Sequence, residues 1–353
     1  MAVPLCQYFS KCAGCQLQHI DYLIQAKNKV QSVSSALKFD SVQFEQSSPY
    51  NYRSRMDFYF SGQGICLRSK KGLIPVKSCP ISNSKVNKLL SELWSMFYYT
   101  DDFPVSKFKS VTARASEFTD SSSVVFILSD ELNLNVPLSL IREFAENTSA
   151  ENVAYDAGGL VVLKGSKFGV ESINRDFKFP IGGFFQNNPD VAKKMVMHVE
   201  GIFSSYKTKE SVLLDLYGGV GLFGFSLSSH FSAALVVESA PDSFEAAKKN
   251  ISSKNEFAIE SDISSLHLSK LPSNLQNRPF FAVLDPPRTG IKPKALQRIL
   301  AFSPEVIVYI SCNHIQLAKD LKKLKRYNLV SVKAFDMFPQ TNHVEVIAHL
   351  RKI

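Results

Sequence analysis

The sequence predicts an α/β protein whose C-terminal half, residues 177–353, is a doubly wound parallel sheet. Three observations carry this. Apolar runs of strand length alternate with helix-period segments from Val212 to the end of the chain, the pattern of a βαβ succession. The first run, Val212-Leu213-Leu214-Asp215-Leu216, passes into the glycine turn Tyr217-Gly218-Gly219-Val220-Gly221, as in Rossmann-like nucleotide sites. Successive strands also end in reactive side chains, and open α/β sheets place their ligand crevices at those ends.

Composition narrows the class. The 353 residues, 45% hydrophobic, suffice for two or three packed domains. No apolar run approaches the ~20 residues of a membrane span, and Met1–Cys6 lacks a basic region followed by an apolar segment. A cytoplasmic monomer with no membrane or protein partner is expected. Net charge is +9, and the excess is localised: residues 51–100 hold 8 Lys/Arg against 2 Asp/Glu, and residues 251–353 hold 15 against 8. Two basic regions distant in sequence suit one polyanion, with RNA as the expected partner.

In chain order, residues 1–19 carry Cys6, Cys12 and Cys15 in a C-x5-C-x2-C pattern, with Cys79 as a fourth thiol before Pro80. In a reducing compartment such spacing points to a metal, either tetrahedral zinc or an iron–sulfur cluster. Cys66, inside Gly64–Arg68, reads instead as a packed strand residue. Residues 20–40 form one linking helix, with Ile20, Leu23, Ile24, Val30, Val33 and Leu37 as its apolar face. Residues 41–176 read as a central α+β domain for RNA positioning or scaffolding. It opens on the alternating strand Tyr52–Phe60 and continues through 110–116, 123–128, 138–146, 152–156 and 160–165.

The catalytic half begins with the loop Pro180–Asn188 and a helix over about 189–203. After the glycine turn, Leu235–Val237 ends at Glu238, placed to bind a ribose diol. Strands near 258–260, 280–284, 306–313, 330–334 and 344–350 follow, with helices over 242–250, 293–302 and 316–323. Cys312 lies at the C-terminal end of the strand within 306–313, Asp285 follows Phe280–Leu284, and Glu345 stands at the start of the last strand. One thiol and two carboxylates at neighbouring strand ends make a candidate site. The basic run Lys319–Arg326 reads as a solvated helix face.

Five motifs in order carry a family resemblance: Phe185-Gln186-Asn187, Asp215–Gly221, Asp285–Gly290, Ser311-Cys312-Asn313 and Asp336–Glu345. With the N-terminal cysteines, they resemble the S-adenosylmethionine-dependent RNA uracil-C5 methyltransferases. The resemblance is greatest to the shorter iron–sulfur 23S rRNA enzymes, which lack the N-terminal β-barrel of larger members. It implies that Gln186, Tyr217, Glu238 and Asp285 line the methyl-donor and uracil pocket, with Asp262 near the adenine. It also implies that Cys6, Cys12, Cys15 and Cys79 hold a [4Fe–4S] cluster. Leu222 departs from the Asn that several members carry there, so no donor contact is assigned to it.

The implied chemistry is covalent. Uracil carbon 5 is a weak nucleophile until a thiolate adds at carbon 6, the role given to Cys312. Glu345 then removes the carbon-5 proton so that the thiol leaves by β-elimination. The target base must be flipped or single-stranded to present both faces. The expected substrate is 23S rRNA, and tRNA is the alternative. A non-catalytic iron–sulfur RNA-binding protein is disfavoured by the intact Cys312 and Glu345. An amino-group DNA methyltransferase, drawn from Asp285-Pro286-Pro287, leaves Cys312 without a role.

Overall fold

The computed structural model describes residues 2–129 and 137–353. The chain begins with turns around the first three cysteines and then forms helix α1 (Tyr22–Leu37). Asp21 starts α1 by accepting a hydrogen bond from the Leu23 N–H, and Lys38 ends it in the left-handed conformation. Strand β1 (Val42–Glu45) follows. Then come β2 (Arg55–Ser61), β3 (Gly64–Ser69), β4 (Gly72–Pro75), α2 (Ser84–Tyr98), β5 (Phe108–Ala115), β6 (Ser122–Leu128), α3 (Leu138–Asn147), β7 (Asn152–Asp156) and β8 (Leu160–Lys164).

From β2 to β8 these strands make one seven-stranded sheet, ordered β4-β3-β2-β5-β6-β7-β8 and antiparallel except for β6–β7. Its core is aromatic, with Phe58, Phe60, Phe108 and Phe126 packed against α2 and α3 residues such as Leu90 and Phe144. Cys66 is fully buried in β3, in keeping with a packed strand residue. The ribbon of β9 (Phe168–Ser172) and β10 (Asp176–Pro180) leads onward.

The second sheet is assembled from α4 (Pro189–Ser204), β11 (Val212–Leu216), α5 (Leu222–Ser226), β12 (Ala233–Glu238), α6 (Pro241–Asn250), β13 (Glu256–Glu260), β14 (Phe280–Leu284), α7 (Pro293–Phe302), β15 (Val306–Ser311), α8 (His314–Leu321), β16 (Tyr327–Phe335) and β17 (Glu345–Lys352). Its strand order is β1-β16-β17-β15-β14-β11-β12-β13. The five strands from β15 to β13 are parallel, and β17 runs antiparallel between β15 and β16. Val212, Leu214 and Leu216 pack into one core layer while Leu213 enters the other, so helices cover both faces. Burial on both faces explains why these strands read as unbroken apolar runs. This is a mixed α/β fold, parallel except for β17.

Two features differ from expectation. Strand β1, inside the 41–176 range, pairs in parallel with β16 at the edge of the C-terminal sheet, Val42 opposite Val332. Four residues are too short for a periodic signal. Helix α1 turns a different face inward: Gln25, Ala26, Lys29 and Val33 are buried, whereas Leu23 and Ile24 are exposed. None of the described helices is long and apolar enough to cross a membrane.

Candidate active site

A cavity of about 880 Å³ opens at the C-terminal ends of β11, β12, β14 and β15. It gathers Gln186, Tyr217, Glu238, Asp262, Asp285, Cys312 and Glu345, seven residues spread over 160 positions of sequence. The glycine turn forms its floor. Gly221 has φ +90° and a Cβ there would sit 2.3 Å from the Phe225 ring, so no side chain is tolerated. Tyr217 also adopts a positive φ of 63°, a strained conformation for an aromatic residue.

Each acid has a distinct environment. Glu238 spans the turn: one oxygen accepts from the Gly219 N–H at 2.9 Å, the other from the Ser239 and Ala240 N–H groups at 2.7 Å each. Its carboxylate is thus fixed by backbone donors as well as facing the cavity. Asp215 is fully buried; one oxygen accepts from the Gly224 N–H at 2.7 Å and the other has no partner. Burial, then the charge of Glu238, pushes its carboxyl up to about 7. Asp285 is likewise raised to about 7 by burial and by Asp215. Asp262, exposed at the rim, accepts from the Ser264 N–H at 2.7 Å and is held below the usual carboxylate range by that contact.

Cys312 follows β15 directly and is half-buried. Desolvation, with Glu345 and then Asp285, pushes its thiol up to about 11, opposed by the nearby Arg288 guanidinium. Glu345 is raised well above the ordinary range by burial and by Asp285. Near pH 7 the Cys312 thiol is therefore neutral, and Asp215 and Asp285 are partly protonated. Any cation entering between them shifts all of these groups towards ionisation.

The loop from Asp336 to Glu345 is secured from outside the C-terminal sheet. Lys29 of α1 forms a buried ion pair with Asp336 at 2.6 Å, and the Tyr52 hydroxyl donates to the Pro339 carbonyl at 3.0 Å. The loop Gly183–Asn188 is held by the seven-stranded sheet: Arg55 donates to the Gly183 carbonyl at 2.9 Å, the Ser54 N–H to Asn187 at 2.8 Å, and Arg114 to Phe185 at 3.2 Å. Arg114 is buried with its guanidinium 4.7 Å from the centre of the Phe179 ring.

Cys6, Cys12, Cys15 and Cys79 line a second cavity of about 330 Å³, shared with Arg53 and Arg68. None of them is in a disulfide. Burial raises the Cys6, Cys12 and Cys15 thiols, Cys15 to about 12, and mutual repulsion with Cys79 adds to it. This places the four sulfurs near one another. Among the described residues, no group of three or more His, Cys, Asp or Glu side chains converges so as to hold a metal ion. Four thiols are by chemistry the donors of a thiophilic centre, but among the described residues they do not converge as metal ligands do.

Sequence reading missed the parts of the catalytic wall supplied by distant segments. Ala13, Gly14 and Gln16 of the cysteine-bearing segment line the large cavity, as do Arg53, Arg288, Phe338 and His343. Arg53 borders both cavities and lies 5.8 Å from the centre of the Phe338 ring. The sequence suggested a strand position for Arg53, but β2 begins only at Arg55, and nothing in the sequence marked its position between the cavities.

The chain is similar to several known proteins. The family model described as tRNA (Uracil-5-)-methyltransferase matches residues 166–274 and 273–353. A Thermotoga maritima protein described as an uncharacterized RNA methyltransferase is 31% identical over 384 residues, covering 99% of this chain and 84% of its own length. The tRNA (uracil(54)-C(5))-methyltransferase of Pyrococcus abyssi is 28% identical, covering 98% of this chain and 85% of that protein. The crystal structure of that Pyrococcus abyssi enzyme with S-adenosyl-L-homocysteine superposes with a TM-score of 0.76 at 24% identity, over 96% of this chain and 86% of that one.

Proposed function

We propose, from the premise that the chain belongs to the RNA uracil-C5 methyltransferase family and is an S-adenosylmethionine-dependent enzyme, that it methylates carbon 5 of a uridine in 23S rRNA through a covalent Cys312 adduct. The observation that carries the reading is the convergence of Cys312, Asp285 and Glu345 in one cavity with the glycine turn. The donor, when bound, supplies a methyl group activated by a sulfonium. Gln186, Tyr217, Glu238 and Asp285 are assigned to the donor and uracil, and Asp262 to the adenine end.

Cys312 adds its sulfur to carbon 6 of the target uracil, turning carbon 5 into an enolate-like nucleophile. Its thiol is too weak an acid to ionise alone at neutral pH, so a neighbouring carboxylate or the donor's positive charge must assist. After carbon 5 has accepted the methyl group, Glu345 takes its remaining proton, the carbon 6–sulfur bond breaks, and Cys312 is regenerated. A carboxyl raised by burial is the better base for this task. The cavity opens beside Arg53, Arg288 and Lys292, and phosphates there would anchor a flipped nucleotide.

Cys6, Cys12, Cys15 and Cys79 are assigned to a [4Fe–4S] cluster. The support for this assignment is that all four cysteines line one cavity. Its role here is to organise the N-terminal segment, because methyl transfer needs no net electron exchange. A tRNA uridine is the second reading, favoured by the names of the Pyrococcus relatives. Transfer of labelled methyl groups into separate rRNA and tRNA pools decides between them. Label should enter 5-methyluridine of rRNA and be lost with Cys312→Ala. Label in tRNA alone replaces the substrate, and label that survives Cys312→Ala overturns the mechanism.

A further inference from the structure

Helix α1 buries polar side chains where apolar ones lie exposed. Gln25 is 1% exposed, whereas Leu23 and Ile24 are 64% and 51% exposed. Burying an amide is unfavourable unless its polar atoms are paired, and the pairing here is extensive. The Gln25 amide nitrogen donates to the carbonyls of Leu17 at 3.0 Å and Ile20 at 2.9 Å and to Oε1 of Gln340 at 2.9 Å. Its own oxygen accepts from the Gln340 N–H at 3.2 Å.

Gln340 completes the connection. It is buried, with φ +66°, and its carbonyl accepts from the N–H groups of Gln16 at 2.9 Å and Leu17 at 3.0 Å. A non-glycine residue is strained in this conformation and persists there only where its surroundings hold it. The surroundings are the segment 16–25, immediately after Cys15. Beyond Gln340 the chain turns through Thr341, whose hydroxyl donates to the Phe338 carbonyl at 2.7 Å and accepts from the His343 N–H at 3.2 Å, and so reaches Glu345. Phe338, Thr341, His343 and Glu345 face the cavity opposite Ala13, Gly14 and Gln16.

We propose that Gln25 is a positioning residue for the deprotonation of carbon 5. By clamping Gln340 in its left-handed conformation, it sets the loop that carries Glu345 and ties that loop to the cysteine-bearing segment. The inference rests on the reading of Glu345 as the base. It predicts a selective defect: addition of Cys312 and methyl transfer continue, while proton removal and release of the thiol slow.

The experiment compares wild type, Glu345→Gln, Gln25→Leu and Gln340→Gly with S-adenosylmethionine and unmodified rRNA. It scores a denaturant-stable protein–RNA adduct together with turnover and KM. Gln340→Gly removes the amide to which Gln25 donates and leaves a residue that enters the left-handed conformation without being confined to it, so it remains informative if Gln25→Leu fails to fold. Both clamp variants should accumulate methylated adduct and lose kcat on the order of 10-fold, with KM values within about twofold of wild type. Absence of adduct with Glu345→Gln overturns the base assignment and this inference with it. An adduct with Glu345→Gln, but wild-type turnover or adduct-free loss of methyl transfer in the clamp variants, overturns the inference alone.

Discussion

At the residue scale, Asp215, Asp285, Glu345 and Cys312 share one electrostatic problem: four acidic groups crowd a site that must receive a cation. Burial answers it by keeping protons on them, with Asp215 and Asp285 both near 7. A positively charged donor favours the ionised forms, so its affinity should rise as pH increases through about 7 and level off above. We expect about tenfold tighter binding of S-adenosylmethionine at pH 8 than at pH 6 by calorimetry. Uncharged S-adenosylhomocysteine should show a much flatter profile, and equal profiles would contradict this account. The same shifts bear on folding. Carboxyls raised above their unfolded values of about 4 favour the fold most below pH 4, and this contribution is lost as pH rises to about 7. The identities of these residues were legible in the sequence because strand ends mark the crevice. Their protonation was not, because it depends on burial and on acids distant in sequence, such as Asp215 acting on Asp285.

At the scale of elements, α1 is the instructive case. Its extent was legible from apolar spacing, Ile20–Leu37 against the observed Tyr22–Leu37. Its inward face was not, because Gln25 and Lys29 serve partners more than 300 residues distant. The Lys29–Asp336 pair is buried at both ends, and burial opposes both charges. Lys29→Met should therefore destabilise the protein by about 3–5 kcal/mol in denaturant unfolding, leaving Asp336 without its cation. Lys29→Met combined with Asp336→Leu should recover most of that loss; an equally unstable double variant would contradict the desolvation argument. The glycine turn was the most legible element, since Gly221 alone accommodates both φ +90° and the Phe225 ring.

At the scale of the molecule, the C-terminal sheet and the cysteine-bearing segment meet around one cavity, and the seven-stranded sheet holds the Gly183–Asn188 loop that lines it. The doubly wound half was legible because each buried strand is an unbroken apolar run. In the α+β half the segments of β2, β5, β6, α3, β7 and β8 were legible, but α2 and β4 were missed, and the single sheet was hidden because β2–β5 and β6–β7 pair across long connections. Net charge +9 and the arginines beside the cavity imply phosphate contacts. RNA affinity should fall steeply between 50 and 200 mM salt, by at least about tenfold in a filter-binding titration. Flat salt dependence would remove phosphate anchoring from the account.

Covalent catalysis by Cys312 is the central claim, and RNA carrying 5-fluorouridine tests it most directly. Glu345 can remove a proton from carbon 5 but not fluorine, so an enzyme that has added Cys312 and transferred methyl cannot release its product. The account predicts an adduct that survives denaturing electrophoresis, requires S-adenosylmethionine and disappears with Cys312→Ala. Formation of the same adduct by Cys312→Ala, or turnover of the fluorinated RNA without any adduct, would contradict it.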